Sequence, residues 1–388
     1  MPSPHAADGA RLLAEGRPEE AIRVFRTGLA ASPRDMDCHL GLVRAYLSQR
    51  NLPEARKALD RLLSVDSRHL EAQSHQALLD ANDGDEEAFR KLRTFSNHPE
   101  AGFFEHFNLA SASLRRGDDE GAEAAYERAV KAQPKSSHAW FELGMIAERR
   151  GDHAAAIERF RNAADLAPGS HVPLYMLSRA HTARGEVGRA VEALKKAIAV
   201  APREESLYED LYKLCFLAGS PEGALTASKA LRALDPRNGN YAYMQGMAQL
   251  TTGRVAEARD TLAQAARLSP ASWEVKHALA RAHQQAQDVP AAIKLLEEVR
   301  AAVPTEPGPM NDLALLYLAS QDPAAAVRVL EPVLQARPDE PATHLSLALA
   351  LAPLDPARAS FHAEKAEATA DADLAEQARK LLRKLNGG

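Results

Sequence analysis

Apolar and small residues recur along the chain in a regular pattern of paired helical faces. Two such faces lie between residues 137 and 170, formed first by Trp140, Leu143, Gly144 and Ala147 and then by Ala156, Phe160 and Ala163. Gly151 and Asp152 separate the faces, and Pro168 ends the stretch. Apolar positions three and four residues apart predict two amphipathic helices, and the glycine predicts the turn between them.

The same arrangement repeats with a step of 34 residues. Prolines that end each unit stand at Pro134, Pro168, Pro202, Pro236, Pro270, Pro304 and Pro338. A column of alanines keeps the same spacing, at Ala122, Ala156, Ala190, Ala224, Ala258, Ala292 and Ala326. A constant period of this length predicts stacked helical hairpins, in which neighbouring units bury each other's apolar faces.

This helix–turn–helix pattern resembles the tetratricopeptide repeat family. The resemblance covers nearly the whole chain, and units 103–136, 137–170 and 171–204 match best. It implies an all-α fold, a right-handed superhelical solenoid of about ten or eleven repeats, in which the first helix of each pair lines a concave groove. In this family the groove usually holds an extended peptide or a helix of another protein.

The regularity of the repeat varies along the chain and predicts three regions of one continuous solenoid, namely 1–102, 103–340 and 341–388. The first region has an irregular third repeat with a short second helix, and we expect a hinge at 94–102. Seven regular repeats follow. The last region contains a degenerate repeat and a capping helix at about 371–385, with one apolar and one charged face. Residues 1–8 are expected to be loose.

Turn and cap residues support these boundaries. We expect helix N-caps at the start of the second helices, at Asn51, Asp118, Asp152, Ser220, Asp288 and Asp322. The two cysteines, Cys38 and Cys215, fall at inward-facing positions and are expected to be buried thiols.

Composition excludes several classes of function. A net charge of −5 gives no basic field for nucleic acid. No apolar run approaches the roughly 18 residues of a membrane span, so we expect no membrane insertion. The first residues lack the basic and apolar segments of a secretory signal, which favours a cytoplasmic protein. The alanine- and arginine-rich composition favours a bacterial one.

Motifs of catalysis and of metal binding are absent from the sequence. We find no glycine-rich phosphate loop, no His-Glu-x-x-His pair, no cysteine–histidine zinc spacing and no Gly-x-Ser-x-Gly elbow. The acidic stretch from Asp83 to Glu87 lacks the ligand spacing of a calcium loop and is interpreted as a solvated turn. The fourteen histidines are scattered over many units. We therefore predict no enzyme, no cofactor and no metal.

The family's geometry assigns positions 2, 5, 6, 9 and 12 of each first helix to the concave face. The candidate partner-binding residues at these positions are Phe104, Phe107, Asn108, Ser111, His138, Phe141, Met145, Tyr175, Met176, Arg179, Lys213, Tyr243, Met244, Met247 and Arg281. Position 5 is aromatic in four of five successive units, although the chain is only 5% aromatic. Aromatic rings dominate interface energies, so a groove over 103–272 is the favoured interpretation. The alternative is that the rings pack against neighbouring helices.

The sequence thus favours a non-enzymatic scaffold or adaptor that binds a peptide or helix of another protein in its groove. One alternative is a regulatory or substrate-presenting subunit of a separate enzyme, or of an envelope, secretion or motility assembly. A third class, an RNA-binding helical repeat, is disfavoured by the acidic balance. A chaperone-tail adaptor is disfavoured because Phe107, Ser111, Phe141 and Met145 replace the family's carboxylate clamp. No oligomeric state is specified.

Overall fold

A computed structural model describes residues 2–387, and over that range the chain forms 23 α-helices and no strand. The chain divides into two compact units, Met1–Ala201 and Pro202–Gly388. In each unit, consecutive helices form antiparallel hairpins that stack on their neighbours along the chain. The predicted all-α repeat fold is therefore confirmed, whereas the predicted division at 102–103 and 340–341 stays a prediction.

The first unit contains twelve of the helices described. They are α1 (Pro4–Ala14), α2 (Pro18–Ala31), α3 (Met36–Ser48), α4 (Leu52–Val65), α5 (Leu70–Asn82), α6 (Glu86–Ser96), α7 (Phe103–Arg115), α8 (Asp119–Ala132), α9 (Ser137–Arg149), α10 (His153–Leu166), α11 (Val172–Ala183) and α12 (Val187–Val200). Odd-numbered helices are the first members of the hairpins, and even-numbered helices are the second members.

The second unit contains the other eleven helices described. They are α13 (Glu205–Leu217), α14 (Pro221–Leu234), α15 (Gly239–Thr251), α16 (Val255–Leu268), α17 (Trp273–Gln285), α18 (Val289–Ala302), α19 (Pro307–Ala319), α20 (Pro323–Ala336), α21 (Pro341–Leu351), α22 (Pro356–Glu367) and α23 (Ala372–Leu385). The predicted capping helix is α23, which packs on α22 and α21 and buries Ala375, Ala378 and Leu381.

Small residues bring the two helices of each hairpin into close contact. A Cβ atom added to Gly144 of α9 would lie 2.6 Å from the ring of Phe160 on α10, which is closer than a carbon contact allows. Gly246 meets Leu262 in the same way, at 2.5 Å. Phe160 and Leu262 are fully buried as a result. Burial of such a side chain contributes roughly 1.5–3 kcal/mol, so these contacts stabilise each hairpin.

The turn inside most of the hairpins contains a residue in the left-handed region of φ. Gly117, Gly151, Gly185 and Gly253 adopt φ values of 72–74° there. The same turn position is occupied by a non-glycine residue in three hairpins, at Arg50, Gln287 and Gln321, with φ values of 56–61°. Side chains with a Cβ atom are strained in this region, and the strain amounts to about 1 kcal/mol.

Most of the predicted N-caps are confirmed. The side chains of Asn51, Asp118, Asp152, Asp288 and Asp322 accept a hydrogen bond from the third residue of their helix. Ser220 is the exception, because it stands at the N-cap position of α14 without a side-chain cap bond. Pro221 supplies the first helical residue there, and its fixed φ starts the helix without that bond.

The start of the chain is more ordered than predicted. Helix α1 begins at Pro4, and the Ser3 hydroxyl accepts a hydrogen bond from the Ala6 amide at 3.2 Å. A serine cap followed by proline at the first helical position is a helix-start signal that the expectation of a loose segment overlooked. Met1, which was part of that expectation, lies outside the described residues.

The third repeat is irregular, as predicted. Its second helix, α6, has 11 residues, whereas α8 and α10 have 14 each. A corner at 97–102 follows and leads into α7. The hinge at 94–102 stays a prediction. Both predicted buried cysteines are buried, and burial raises the pKa of the Cys38 thiol.

The strained turns generate a test. We expect Gln287→Gly to raise the free energy of unfolding by about 0.5–1 kcal/mol, because glycine adopts the left-handed conformation without a Cβ clash. The reciprocal change, Gly253→Gln, should lower it by about 1 kcal/mol. Urea unfolding followed by circular dichroism measures both. Equal midpoints for the two variants would contradict the described turn geometry.

Candidate partner-binding surface

A row of aromatic rings lies on consecutive first helices of the first unit. The ring of Phe104 meets that of Phe103 with centroids 5.0 Å apart, and Phe103 meets Phe107 at 5.2 Å. The row continues from α7 to α9, where His138 meets Phe107 edge-on at 5.1 Å. We call Phe103, Phe104, Phe107, His138 and Phe141 the aromatic surface. Its phenylalanines are half-buried, and the His138 side chain is 65% exposed.

An apolar hollow of about 230 Å³ adjoins this row between α9 and the corner that leads into α11. Its lining consists of Ser137, His138, Phe141, Ala167, Ser170, Val172 and Pro173. Val172, the first residue of α11, is 42% exposed at the hollow. The hollow shares His138 and Phe141 with the aromatic surface, so the two features form one continuous surface.

The rings are held from behind by the hairpin core. Phe107 packs edge-on against Tyr126 at 5.2 Å, and Phe141 packs against Phe160 at 5.7 Å. Tyr126 is buried, and burial raises the pKa of its hydroxyl. Its oxygen lies 3.2 Å from the hydroxyl oxygen of Ser111, another predicted site residue. Each ring therefore has one side in the core and part of its surface accessible.

Phe104 is also held by charged and polar neighbours. The Arg44 guanidinium lies over its ring at 4.2 Å and donates two hydrogen bonds to Glu71, at 2.7 and 2.8 Å. His75 contacts the same carboxylate, with its Nε2 atom 3.3 Å from Glu71 Oε1, the oxygen that also accepts from Arg44 Nε. Burial opposes ionisation of Glu71, but the His75 hydrogen bond and the Arg44 charge outweigh it and lower the pKa of Glu71.

Three of the sequence-predicted residues lie in the core rather than on a surface. Asn108 is 2% exposed and donates to Ser74 Oγ at 3.0 Å and to His75 Nδ1 at 3.1 Å. Met176 and Met244 are also buried, each among apolar side chains of its own unit. Position 6 faces a neighbouring first helix closely enough that these side chains are not accessible to a partner.

The other predicted residues of the first unit lie around the aromatic surface. Met145 and Tyr175 are half-buried and, with Phe141, pack against the core formed around Phe160. Arg179 is exposed on α11. The structure therefore brings Met145 and Tyr175 together with Phe141.

The predicted residues of the second unit are more dispersed. Tyr243 and Met247 are half-buried against the core that contains Leu262, and burial raises the pKa of Tyr243. Lys213 is exposed and forms an ion pair with Asp210 at 3.1 Å, whereas Arg281 is exposed on α17.

Sequence reasoning missed three partly accessible apolar residues. Phe103 precedes the positions assigned to the groove, yet it joins Phe104 to Phe107. Leu315 and Leu349 are 42% and 38% exposed on α19 and α21. They continue the column of Arg281 with the same step of 34 residues, so extending the register past the ninth unit would have found them.

Residues 2–387 contain neither a cluster of side chains suited to a metal ion nor a helix suited to span a membrane. In that range, no three histidine, cysteine, aspartate or glutamate side chains come together in a way that could hold a metal ion. None of the helices described combines the length and the apolar character needed to cross a bilayer.

Matches to family models show which protein family the chain belongs to. A model described as tetratricopeptide repeat matches residues 12–79, 147–215 and 249–311. A second tetratricopeptide repeat model matches residues 107–171 and 216–272, and a third matches residues 307–332. The chain belongs to the tetratricopeptide repeat family. The resemblance based on the 34-residue period is confirmed.

Three solved structures illustrate what this tetratricopeptide repeat protein is similar to, and the first of them supports the fold. A tetratricopeptide repeat protein from Parabacteroides merdae ATCC 43184 is 17% identical, with a TM-score of 0.50 over 65% of this chain and 99% of that one. Yeast Tom70 is 14% identical, with a TM-score of 0.45 over 98% and 95%. YrrB, a repeat protein with an unusual peptide-binding site, is 17% identical, with a TM-score of 0.40 over 48% and 96%. No curated protein gives a significant match.

The buried network around Asn108 gives a second test. Asn108→Ala should lower the free energy of unfolding by about 1–3 kcal/mol, because it leaves the buried His75 Nδ1 and Ser74 hydroxyl without their donor. Asn240→Ala is the matched control, since Asn240 is an exposed asparagine on a first helix, and its effect should stay within about 0.5 kcal/mol. Equal losses in both variants, measured by urea unfolding, would show that the network contributes nothing specific.

Proposed function

We propose that the chain is a non-enzymatic scaffold or adaptor that binds a segment of a partner protein on the aromatic surface and apolar hollow of its first unit. The observation that carries the proposal is the continuous row of half-exposed rings from Phe104 to His138. Contiguous exposed apolar surface on a soluble domain marks an interaction site more often than chance exposure does.

The rings suit this role because they are already positioned. Tyr126 and Phe160 pack behind Phe107 and Phe141, so little side-chain freedom remains to be lost when a partner covers the exposed ring surface. Aromatic side chains also contribute a large area for few rotatable bonds. A surface of this kind supports binding without a preceding rearrangement of the hairpins.

The hollow supports a specific feature of the partner segment. A volume of about 230 Å³ next to Phe141 and Val172 is large enough for one apolar side chain, and Ser137 and Ser170 supply polar groups among its lining. The proposed segment therefore carries an aliphatic or aromatic anchor. A net charge of −5 supports a protein partner over nucleic acid.

The remaining sequence-predicted residues extend the proposal. In the first unit, Met145, Tyr175 and Arg179 lie on the helices that carry Phe141 and Val172 or beside them. In the second unit, taken by itself, Tyr243 and Met247 offer half-buried apolar surface of the same kind. We propose these as secondary contacts, and we leave out Asn108, Met176 and Met244 because they are buried.

A charge placed at the hollow tests the proposal. Val172→Glu should weaken binding of a partner segment at least tenfold, because a carboxylate would lose its hydration when an apolar anchor covers it. Peptides selected from a random display library on the full chain, measured by fluorescence anisotropy, provide the probe. Glutamate is favourable at the first residue of a helix, so α11 should remain folded.

Leu52→Glu is the matched control. Leu52 is the first residue of α4, another helix of the first unit. Its side chain is 45% exposed, as that of Val172 is 42% exposed, but it lies outside the hollow. Selected peptides should bind this variant as they bind the wild type. Peptides that bind all three proteins equally, or a library that yields no binder, would overturn the proposed site.

A further inference from the structure

A carboxylate lies at the edge of the aromatic surface, next to the apolar hollow. Glu142 follows Phe141 on α9, and its side chain is 24% exposed. Its Oε1 atom lies 3.2 Å from the Nε2 atom of His138, a residue that lines the hollow and contacts Phe107 edge-on. The carboxylate, the hollow and the row of rings therefore meet at one histidine.

No lysine or arginine within residues 2–387 forms an ion pair with Glu142. The ion-pair contact of its carboxylate is with His138, which neutralises a negative charge only when the imidazole is protonated. Arg149, two turns further along the same helix, donates instead to Asp119, at 2.7 and 3.2 Å. A half-buried carboxylate thus borders the proposed binding surface without a permanent cation beside it.

The charge of Glu142 acts close to the rings of the aromatic surface. Tyr126 packs behind Phe107, and burial raises the pKa of the Tyr126 hydroxyl, with the charge of Glu142 acting in the same direction. A neighbouring negative charge disfavours the ionised form of a phenol. Glu142 is therefore near enough to the pair of Phe107 and Tyr126 to attract a cation placed on the aromatic surface.

The chain already contains one arginine that is held by a ring and a carboxylate together. The Arg44 guanidinium lies 4.2 Å from the centre of the Phe104 ring and donates two hydrogen bonds to Glu71. A cation is attracted to the face of an aromatic ring, and a guanidinium also matches the two oxygens of a carboxylate. Glu142 and the nearby Phe107 ring offer the same two groups to a cation from a partner.

The other end of the aromatic surface is acidic as well. Phe103 and Phe104 form part of a cleft of about 670 Å³ between the α4–α5 corner and the α6–α7 corner. The carboxylate and guanidinium residues that line it are Asp66, Arg68, Glu71, Glu100 and Glu105. Glu71 is paired with Arg44, which leaves three carboxylates and one arginine. This balance favours a basic segment over an acidic one.

We propose that the partner segment is basic, with an arginine or lysine that pairs with Glu142 next to the apolar anchor in the hollow. This inference rests on the proposed function, since it names the chemistry of the segment that the aromatic surface binds. Because the hollow and the carboxylate share His138, the basic residue and the anchor lie on one side of the segment. In an extended chain such residues are two positions apart, at about 6–7 Å.

Peptide selection on the full chain tests this pairing. Peptides selected from a random display library should carry an arginine or lysine two positions from an aliphatic or aromatic anchor. In fluorescence anisotropy, Glu142→Gln should weaken their binding about five- to tenfold, because the amide keeps the size of the side chain and removes its charge. A higher salt concentration should reduce this difference, since screening weakens the ion pair.

Glu158→Gln is the matched control for the loss of one negative charge. Glu158 is an exposed glutamate on α10, outside the aromatic surface and the hollow, and the selected peptides should bind this variant as they bind the wild type. A charge reversal gives a second measurement. Glu142→Arg should bind peptides whose basic residue is replaced by glutamate more tightly than the wild type does.

The outcomes separate this inference from the proposed function. The inference is overturned, and the binding site stands, if the selected peptides lose affinity for Val172→Glu but contain no basic residue near the anchor. Equal binding to Glu142→Gln and to the wild type has the same meaning. A library without binders, or binders that are insensitive to Val172→Glu, would overturn the proposed site and the inference together.

Discussion

The close approach of paired helices is the constraint on which the rest of this structure depends. Phe160 and Leu262 pack so closely against Gly144 and Gly246 that neither glycine has room for a Cβ atom. Each large side chain therefore occupies the space beside a glycine on the paired helix. Interiors packed in this way tolerate neither a void nor an extra methyl group. The alanines that recur beside these contacts are fully buried for the same reason.

This packing also determines what the first helices can present. A ring at position 5 lies at the edge of the hairpin core, so Phe107 and Phe141 place one side against Tyr126 or Phe160 and leave the rest accessible. The two interpretations of the aromatic ladder are therefore not exclusive. The same rings stabilise the hairpins and supply the proposed binding surface, and large truncations there would affect folding and binding together.

The third repeat departs from the pattern and obtains its contacts differently. Helix α6 has 11 residues, and α5 and α7 are in extensive direct contact. Polar side chains replace small apolar ones at this contact, where Asn108 bonds to Ser74 and His75. Buried polar networks are stable only while every member has its partner, so this contact depends on Asn108, Ser74 and His75 together.

The family, the helical hairpins and most of the caps could be predicted from residue spacing, because they rest on local rules. These local rules concern glycine at a left-handed turn, aspartate at an N-cap and proline at a corner. Each such residue affects only the backbone within a few residues of it, and the 34-residue period repeats the set along the chain. Tertiary packing alone decided which groove positions are accessible. Asn108 and Ser111 lie one turn apart on α7, yet Asn108 is buried because its partners come from α5, more than thirty residues earlier in the chain. Such burial depends on how closely two first helices approach, and no local pattern encodes that distance.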